Sequence, residues 1–190
     1  MTRASSFIRL SAWSVAALFV SACDAAPADA GPGGSSAGEL VGEGDPWPAL
    51  VVRDCAGAEV SLPALLAEHD ATFVTFGAQW CTACQKEAPD INSKLVDGFA
   101  DRSVGVVQIL LEGQPGVAPA QSLCSAWESE LEARFTVLVD VEQQHLAPFF
   151  GGAVATLPLH FIATRDGLIR YRKLGELPTD IDAILAGWLP

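Results

Sequence analysis

The stretch Thr72-Phe73-Val74-Thr75-Phe76-Gly77-Ala78-Gln79-Trp80-Cys81-Thr82-Ala83-Cys84-Gln85-Lys86-Glu87-Ala88-Pro89 decides the reading of this chain. Residues 72–76 are apolar, β-branched and aromatic, which predicts a buried strand. A helix is predicted from Cys81 to about Phe99, bent at Pro89, which has no N–H to give and crowds the preceding turn. Cys81 therefore falls where a strand hands over to a helix. The unpaired N–H groups of a first turn, and the positive end of the helix dipole, favour an anion there. They lower the pKa of the first thiol and raise its thiolate fraction, and the thiolate is the nucleophile. Cys84, one turn on, is placed to attack a mixed disulfide formed at Cys81 and release the other partner.

Two other readings of the C-x-x-C pair carry less. A structural zinc site wants a second pair of ligands at short spacing. Cys23, Cys55 and Cys124 stand singly, and so do His69, His145 and His160. A plain structural disulfide leaves the strand–helix placement without a purpose.

Outward from this centre, the N-terminus reads as a targeting segment. Arg3 and Arg9 precede the apolar run Leu10–Val20, which is short of the roughly 20 residues needed to span a bilayer. Residues 1–22 are thus expected to be a signal peptide. Its end, Val20-Ser21-Ala22-Cys23, resembles a bacterial lipobox. That resemblance implies cleavage before Cys23 and lipidation of its sulfur, with several acyl chains giving firm attachment. Ordinary signal cleavage is the alternative. Residues 23–45 are rich in Ala, Pro, Gly, Ser and acids and read as a flexible tether with a reach of about 25 Å. Residues 46–190 are the size of one domain with its own core.

The chain carries 23 acidic against 11 basic residues and a formal charge of −12, which becomes −14 once Arg3 and Arg9 are removed. No basic stripe is present for nucleic acid, and anionic lipid would repel such a surface, leaving membrane attachment to the tether. Of the five cysteines, lipidation takes Cys23 and the redox pair takes two. Cys55 and Cys124 remain. In an oxidising compartment they form a structural disulfide, or else they are two separately buried small residues, or one relays electrons from the active pair.

Along the domain the predicted order is a small hairpin around Asp54-Cys55-Ala56-Gly57, a helix starting at Ser61-Leu62-Pro63, and the strand and helix of the opening stretch. The apolar run 104–111 follows as a central strand, then a Gly/Pro loop, a helix over about 120–134 and a strand at 136–139. A short helix over 143–150 ends at Gly151-Gly152. A hairpin turns at Thr164-Arg165-Asp166-Gly167, and Thr179 caps a closing helix to Trp188. This predicts an α/β fold, a central mixed sheet flanked by helices, with an N-terminal β-hairpin extension. Sites in such sheets lie at the carboxyl ends of the strands, where Cys81 falls.

From about Leu50 to Trp188 the chain resembles the thioredoxin superfamily. More narrowly it resembles the TlpA/ResA-type extracytoplasmic thiol–disulfide oxidoreductases. Trp80-Cys81-Thr82-Ala83-Cys84, the E-x-P of Glu87 and Pro89, and Thr156-Leu157-Pro158-Leu159-His160-Phe161-Ile162 followed by Asp166-Gly167 carry the resemblance. It implies a thioredoxin-like fold and a cis bond at Pro158 beside the cysteines. It also implies a client strand pairing with Leu157, an indole of Trp80 shielding the disulfide, and a glutamate, Glu87, that tunes the thiols and moves their protons. There are departures. Thr75 stands where thioredoxin has a buried aspartate, and threonine is no base at neutral pH. Gly77 replaces an aromatic residue and is expected to open the groove beside the thiols. Thr82-Ala83 lacks the usual His, Pro or Gly.

The activity implied is exchange at a redox-active Cys81–Cys84 disulfide with no cofactor and no metal. A lipid-anchored enzyme facing the periplasm would reduce client proteins, such as apocytochrome c or metal-site thiols, with electrons from a transmembrane thiol donor. A copper chaperone holding Cu(I) through the cysteines and His160 is the alternative. A peroxidase of peroxiredoxin type fits less well, because Ala78 stands where those proteins place a threonine.

Overall fold

Strands β1 (Val51–Arg53) and β2 (Glu59–Ser61) form the expected hairpin, paired antiparallel from Val51↔Ser61 to Arg53↔Glu59. The computed structural model describes residues 40–152 and 154–190. The predicted signal peptide, lipobox, Cys23 and the tether up to residue 39 lie outside the described residues. Helix α1 (Leu62–Leu66) starts after Ser61 with Pro63 in its first turn, where a missing N–H costs nothing. Strand β3 (Ala71–Ala78) is buried at every position. Helix α2 (Thr82–Asp90) follows and continues as a π-helical segment, Ile91–Asp97. The single bent helix predicted to Phe99 is therefore two registers of one helix. Pro89 cannot donate to the carbonyl a turn behind it, and just beyond it the chain widens into the π register.

Strand β4 (Val104–Glu112), helix α3 (Leu123–Glu130), strand β5 (Thr136–Val139) and helix α4 (Leu146–Phe150) come next. Both helices are shorter than predicted. Glu132, at φ 50°, turns the chain out of α3. The Asn92 amide holds that turn, donating to the Glu132 carbonyl at 3.0 Å and accepting from the Arg134 N–H at 2.9 Å. Before α4, the Asp140 carboxylate takes the N–H groups of Gln144 and His145, at 3.0 and 2.9 Å. Gly151 closes α4 in the left-handed conformation, as predicted. Strands β6 (Leu159–Thr164) and β7 (Ile169–Leu174) flank the predicted turn. There the Thr164 hydroxyl donates to Asp166 at 2.6 Å. That hydrogen bond, the Leu168 N–H and Arg170 hold the Asp166 carboxyl below its usual pKa. Helix α5 (Ile181–Ala186) ends the domain; its N-cap is Asp180, one residue after the predicted Thr179.

Among the described residues, the seven strands form one sheet in the order β2-β1-β5-β4-β3-β6-β7. β3, β4 and β5 are parallel, while β6 and β7 run antiparallel at one edge and the hairpin at the other. The sheet is thus mixed and flanked by helices, in the α/β class expected. Alternation along β3 sorts the two cores. Val74 and Phe76 face α1 and α4, with Leu62, Leu66 and Phe149. Phe73 faces α2, α3 and α5, with Ile91, Trp127 and Ile181. Covering on both faces is why β3 and β4 read as continuous apolar runs. The first core centres on Trp47, Phe76, Phe149 and Phe161, with ring centroids 5.0–6.0 Å apart, mostly edge to face.

Residues 40–45, expected in the tether, pack as part of this domain. Val41 is buried and its N–H donates to the Pro148 carbonyl, while the Gly44 N–H reaches Ile169. Val41 supplies the buried apolar contact, and the Glu43 carboxylate adds a hydrogen bond from the Arg172 N–H at 2.9 Å. A disulfide joins Cys55 in the β1–β2 loop to Cys124 on α3, 69 positions apart in sequence, with Cα atoms 5.0 Å apart.

Candidate active site

Cys81 and Cys84 are joined by a disulfide at the start of α2, with an S–S distance of 2.03 Å. Cys81 is the N-cap residue, its backbone extended (φ −82°, ψ 91°), and its sulfur accepts the Cys84 N–H at 3.2 Å. The sulfur thus occupies the place that a serine or aspartate oxygen takes at an ordinary helix start. When the pair is reduced, the same N–H and the helix dipole stabilise negative charge on Cys81. Cys81 is 4 % exposed and Cys84 fully buried, so Cys81 is the sulfur that a client can reach.

Three segments frame the pair. The first is the turn ahead of it, where the Cys81 N–H donates to the Ala78 carbonyl and the Gln85 amide reaches the Gln79 carbonyl at 2.8 Å. The second is the Leu157–Pro158 segment, whose peptide bond is cis. Leu157 packs against both cores, and the Pro158 carbonyl accepts the Gly175 N–H at 2.9 Å. The third is the end of β4. Glu112 is fully buried there; one carboxylate oxygen accepts the Trp80 indole N–H at 2.9 Å and the other the Ala155 N–H at 3.0 Å. One side chain therefore ties the residue before Cys81 to the loop leading to Pro158. Glu112→Gln replaces one acceptor with a donor, so either Trp80 or Ala155 is left facing an N–H. A loss of about 1–3 kcal/mol is expected in urea denaturation of the oxidised protein. An unchanged midpoint would show that the bridge is not needed.

Glu87, implied by the resemblance to tune the thiols, is turned inward. It is 9 % exposed, on the buried face of α2 with Cys84. Its Oε1 accepts the Leu177 N–H at 2.8 Å, and its Oε2 lies 3.6 Å from Nε2 of His160. Glu87 also borders a groove of about 300 Å³ lined by Thr82, Ala83, Lys86, Asp90, Glu176 and Leu177. Lys86 itself is exposed. Gly77, expected to open the groove, is buried. The space a side chain would fill is taken by Gln108, whose Nε2 lies 2.9 Å from where a Cβ would stand. Gln108 is held there by the Trp127 indole, which donates to its Oε1 at 2.6 Å.

His160, read from sequence only as a copper ligand, is fully buried. Its Nδ1 is 2.9 Å from the Thr75 hydroxyl and its other nitrogen faces Glu87. Among the described residues no group of three or more His, Cys, Asp or Glu side chains is placed to hold a metal ion. Sequence reasoning missed His160 in this position, and Glu112 altogether. The available signal for Glu112 was an acid closing an apolar central strand at its carboxyl end, where sites collect. For His160 it was a polar residue two places after Pro158 in an otherwise apolar strand.

Comparison with known proteins agrees with this geometry. The thiol-disulfide oxidoreductase ResA of Bacillus cereus is 23 % identical over 129 residues, 68 % of each chain. A thio-disulfide isomerase of Thermus thermophilus superposes with a TM-score of 0.60 at 22 % identity, covering 79 % of this chain and 99 % of the other. A thioredoxin-family thiol:disulfide interchange protein of Chlorobium tepidum gives a TM-score of 0.60 at 21 % identity, covering 80 % and 100 %. The fold is therefore thioredoxin-like. The AhpC/TSA family model matches residues 43–172. That match spans more than half of the chain, which therefore belongs to the AhpC/TSA family.

Proposed function

We propose that this protein is a thiol–disulfide oxidoreductase acting on proteins outside the cytoplasm. The observation that carries the reading is Cys81 as the sulfur cap of α2, bonded to Cys84 just beyond the carboxyl end of β3. In the reducing direction the Cys81 thiolate attacks a client disulfide and one client thiolate leaves. Cys84 then attacks Cys81, the mixed disulfide breaks, and the client departs reduced by two electrons while the protein is oxidised by two. Trp80 and Leu157 border the docking edge, and Glu87 serves the proton transfers. A transmembrane thiol carrier returns the dithiol form.

The place of action rests on two features. The N-terminal sequence ends its apolar run at Val20-Ser21-Ala22-Cys23, which supports a lipid anchor at Cys23 ahead of the tether. The second disulfide, Cys55–Cys124, suits an oxidising compartment, since such bonds are rare among cytosolic proteins. Among the described residues no helix is long and apolar enough to cross a membrane.

The test is trapping. Cys84→Ser, expressed with its own N-terminus, should accumulate disulfide-linked adducts with envelope proteins, visible on non-reducing gels and lost on reduction. Cys81→Ser should accumulate none. Absence of adducts from the first variant would contradict the mechanism.

A further inference from the structure

We infer that His160 is a positioning residue for the resolving step, acting through Glu87 to make that carboxylate the proton acceptor for Cys84. The inference rests on the oxidoreductase reading above. Cys84 is fully buried, so its thiol cannot simply lose a proton to water when it must attack. Thr75, on the strand beneath, cannot take that proton. Glu87 stands three residues after Cys84 on the buried face of α2, the spacing that places two helical side chains side by side.

What the structure adds is the set of groups behind Glu87. Thr75 and His160 are direct partners across β3 and β6, so their side chains share a face of the sheet. The His160 ring stacks on Phe73 at 5.7 Å, which fixes its plane. Its Nδ1 meets the Thr75 hydroxyl at 2.9 Å, and its Nε2, buried and without a hydrogen bond of its own, is aimed at Glu87 Oε2 across 3.6 Å. Two proton arrangements fit these contacts. With Glu87 ionised, the Thr75 hydroxyl donates to Nδ1, Nε2–H points at the carboxylate, and the Leu177 N–H donates to its other oxygen. With Glu87 protonated, the ring takes its other tautomer, and Nδ1–H donates to Thr75 while Nε2 accepts from the acid. The threonine hydroxyl serves both states because it can donate or accept. A neutral imidazole thus follows the charge of Glu87 without either state burying an unpaired proton.

The other charged groups around the pair are exposed. Lys86, Asp90 and Glu176 line the groove beside Glu87, and Lys173 is the cross-strand partner of His160 on β7. In the step, the Cys84 proton passes to Glu87 and Cys84 Sγ bonds to Cys81 Sγ. The bond from Cys81 to the client breaks, and the leaving client thiolate takes up one proton. Two electrons move from the protein's thiols to the client and none are left over.

The test uses the reduced full chain and the aromatic disulfide 5,5′-dithiobis(2-nitrobenzoate). The first thionitrobenzoate released reports attack by Cys81, and the second reports resolution by Cys84. His160→Leu, which removes both ring nitrogens, should leave the first phase unchanged and slow the second about tenfold, a split between the two phases that a merely structural change would not produce. Thr75→Val, which keeps the volume and removes the hydroxyl, should slow the second phase by less. The double variant His160→Leu/Glu87→Gln should be no slower than Glu87→Gln alone. Equal second-phase rates for wild type, His160→Leu and Thr75→Val, or additive effects in the double variant, would overturn the inference while leaving the oxidoreductase reading intact. Release of neither equivalent by the wild type would overturn that reading as well.

Discussion

Replacing Cys81 by serine abolishes disulfide exchange, with a fall of about a thousandfold or more in the rate of client reduction. A serine hydroxyl at the same N-cap would still accept the Cys84 N–H, so the helix start should survive. What disappears is the sulfur that bonds to another sulfur and that ionises near neutral pH. Cys84 cannot substitute, because it is fully buried. Cys84→Ser is therefore not equivalent: the first attack proceeds and the cycle halts at the mixed disulfide. Rates of reduction of a peptide disulfide by the two variants, followed under a stoichiometric excess of client, separate the roles. Equal rates of first attack in the two variants would show that Cys81 is not the entry point.

Removal of the second disulfide has the other large effect, on stability. Cys55 and Cys124 are 69 residues apart in sequence, and closing a loop of that size in the unfolded chain corresponds to about 4 kcal/mol in the chain-entropy description. Against a typical domain stability of about 5–15 kcal/mol this is a large fraction. The bond also fastens the β1–β2 hairpin, at the sheet edge beyond β5, to α3. The Cys55→Ser/Cys124→Ser pair is the cleaner variant, since one unpaired thiol would invite exchange with Cys81. Urea denaturation should show a loss of about 2–5 kcal/mol, with the rate of exchange at Cys81 unchanged. No loss of stability would mean that the unfolded chain is already compact around this loop, and loss of exchange would assign the pair an electron-relay role.

The parts of this structure that were legible in the sequence are those fixed by short-range rules. Thr72–Phe76 could only be a buried strand, Gly151 and Gly167 marked a helix end and a turn, and C-x-x-C at a strand–helix junction located the sulfur chemistry. The cis bond before Pro158 came from the family resemblance, because an isolated X–Pro bond prefers trans. Polar residues inside apolar runs were the hard cases. His160, Gln108 and Glu112 each sit in a strand, and their partners, Thr75 and Glu87, Trp127, and Trp80, come from other elements through sheet register and helix packing. Local pattern carries no record of such pairings. The same holds for Asn92, whose amide ends α3 from across the fold, and for Val41, buried where residues 40–45 of the expected tether pack onto the domain.

The most direct measurement is the pH dependence of alkylation of Cys81 by iodoacetamide in the reduced full chain, with Cys84 labelling followed separately by peptide mass. A sulfur that caps α2 and accepts its N–H should titrate below the ordinary thiol value of about 8.5 and react faster at neutral pH than free cysteine. A titration midpoint at or above that of the free amino acid, with no excess rate at neutral pH, would contradict the assignment of Cys81 as the nucleophile.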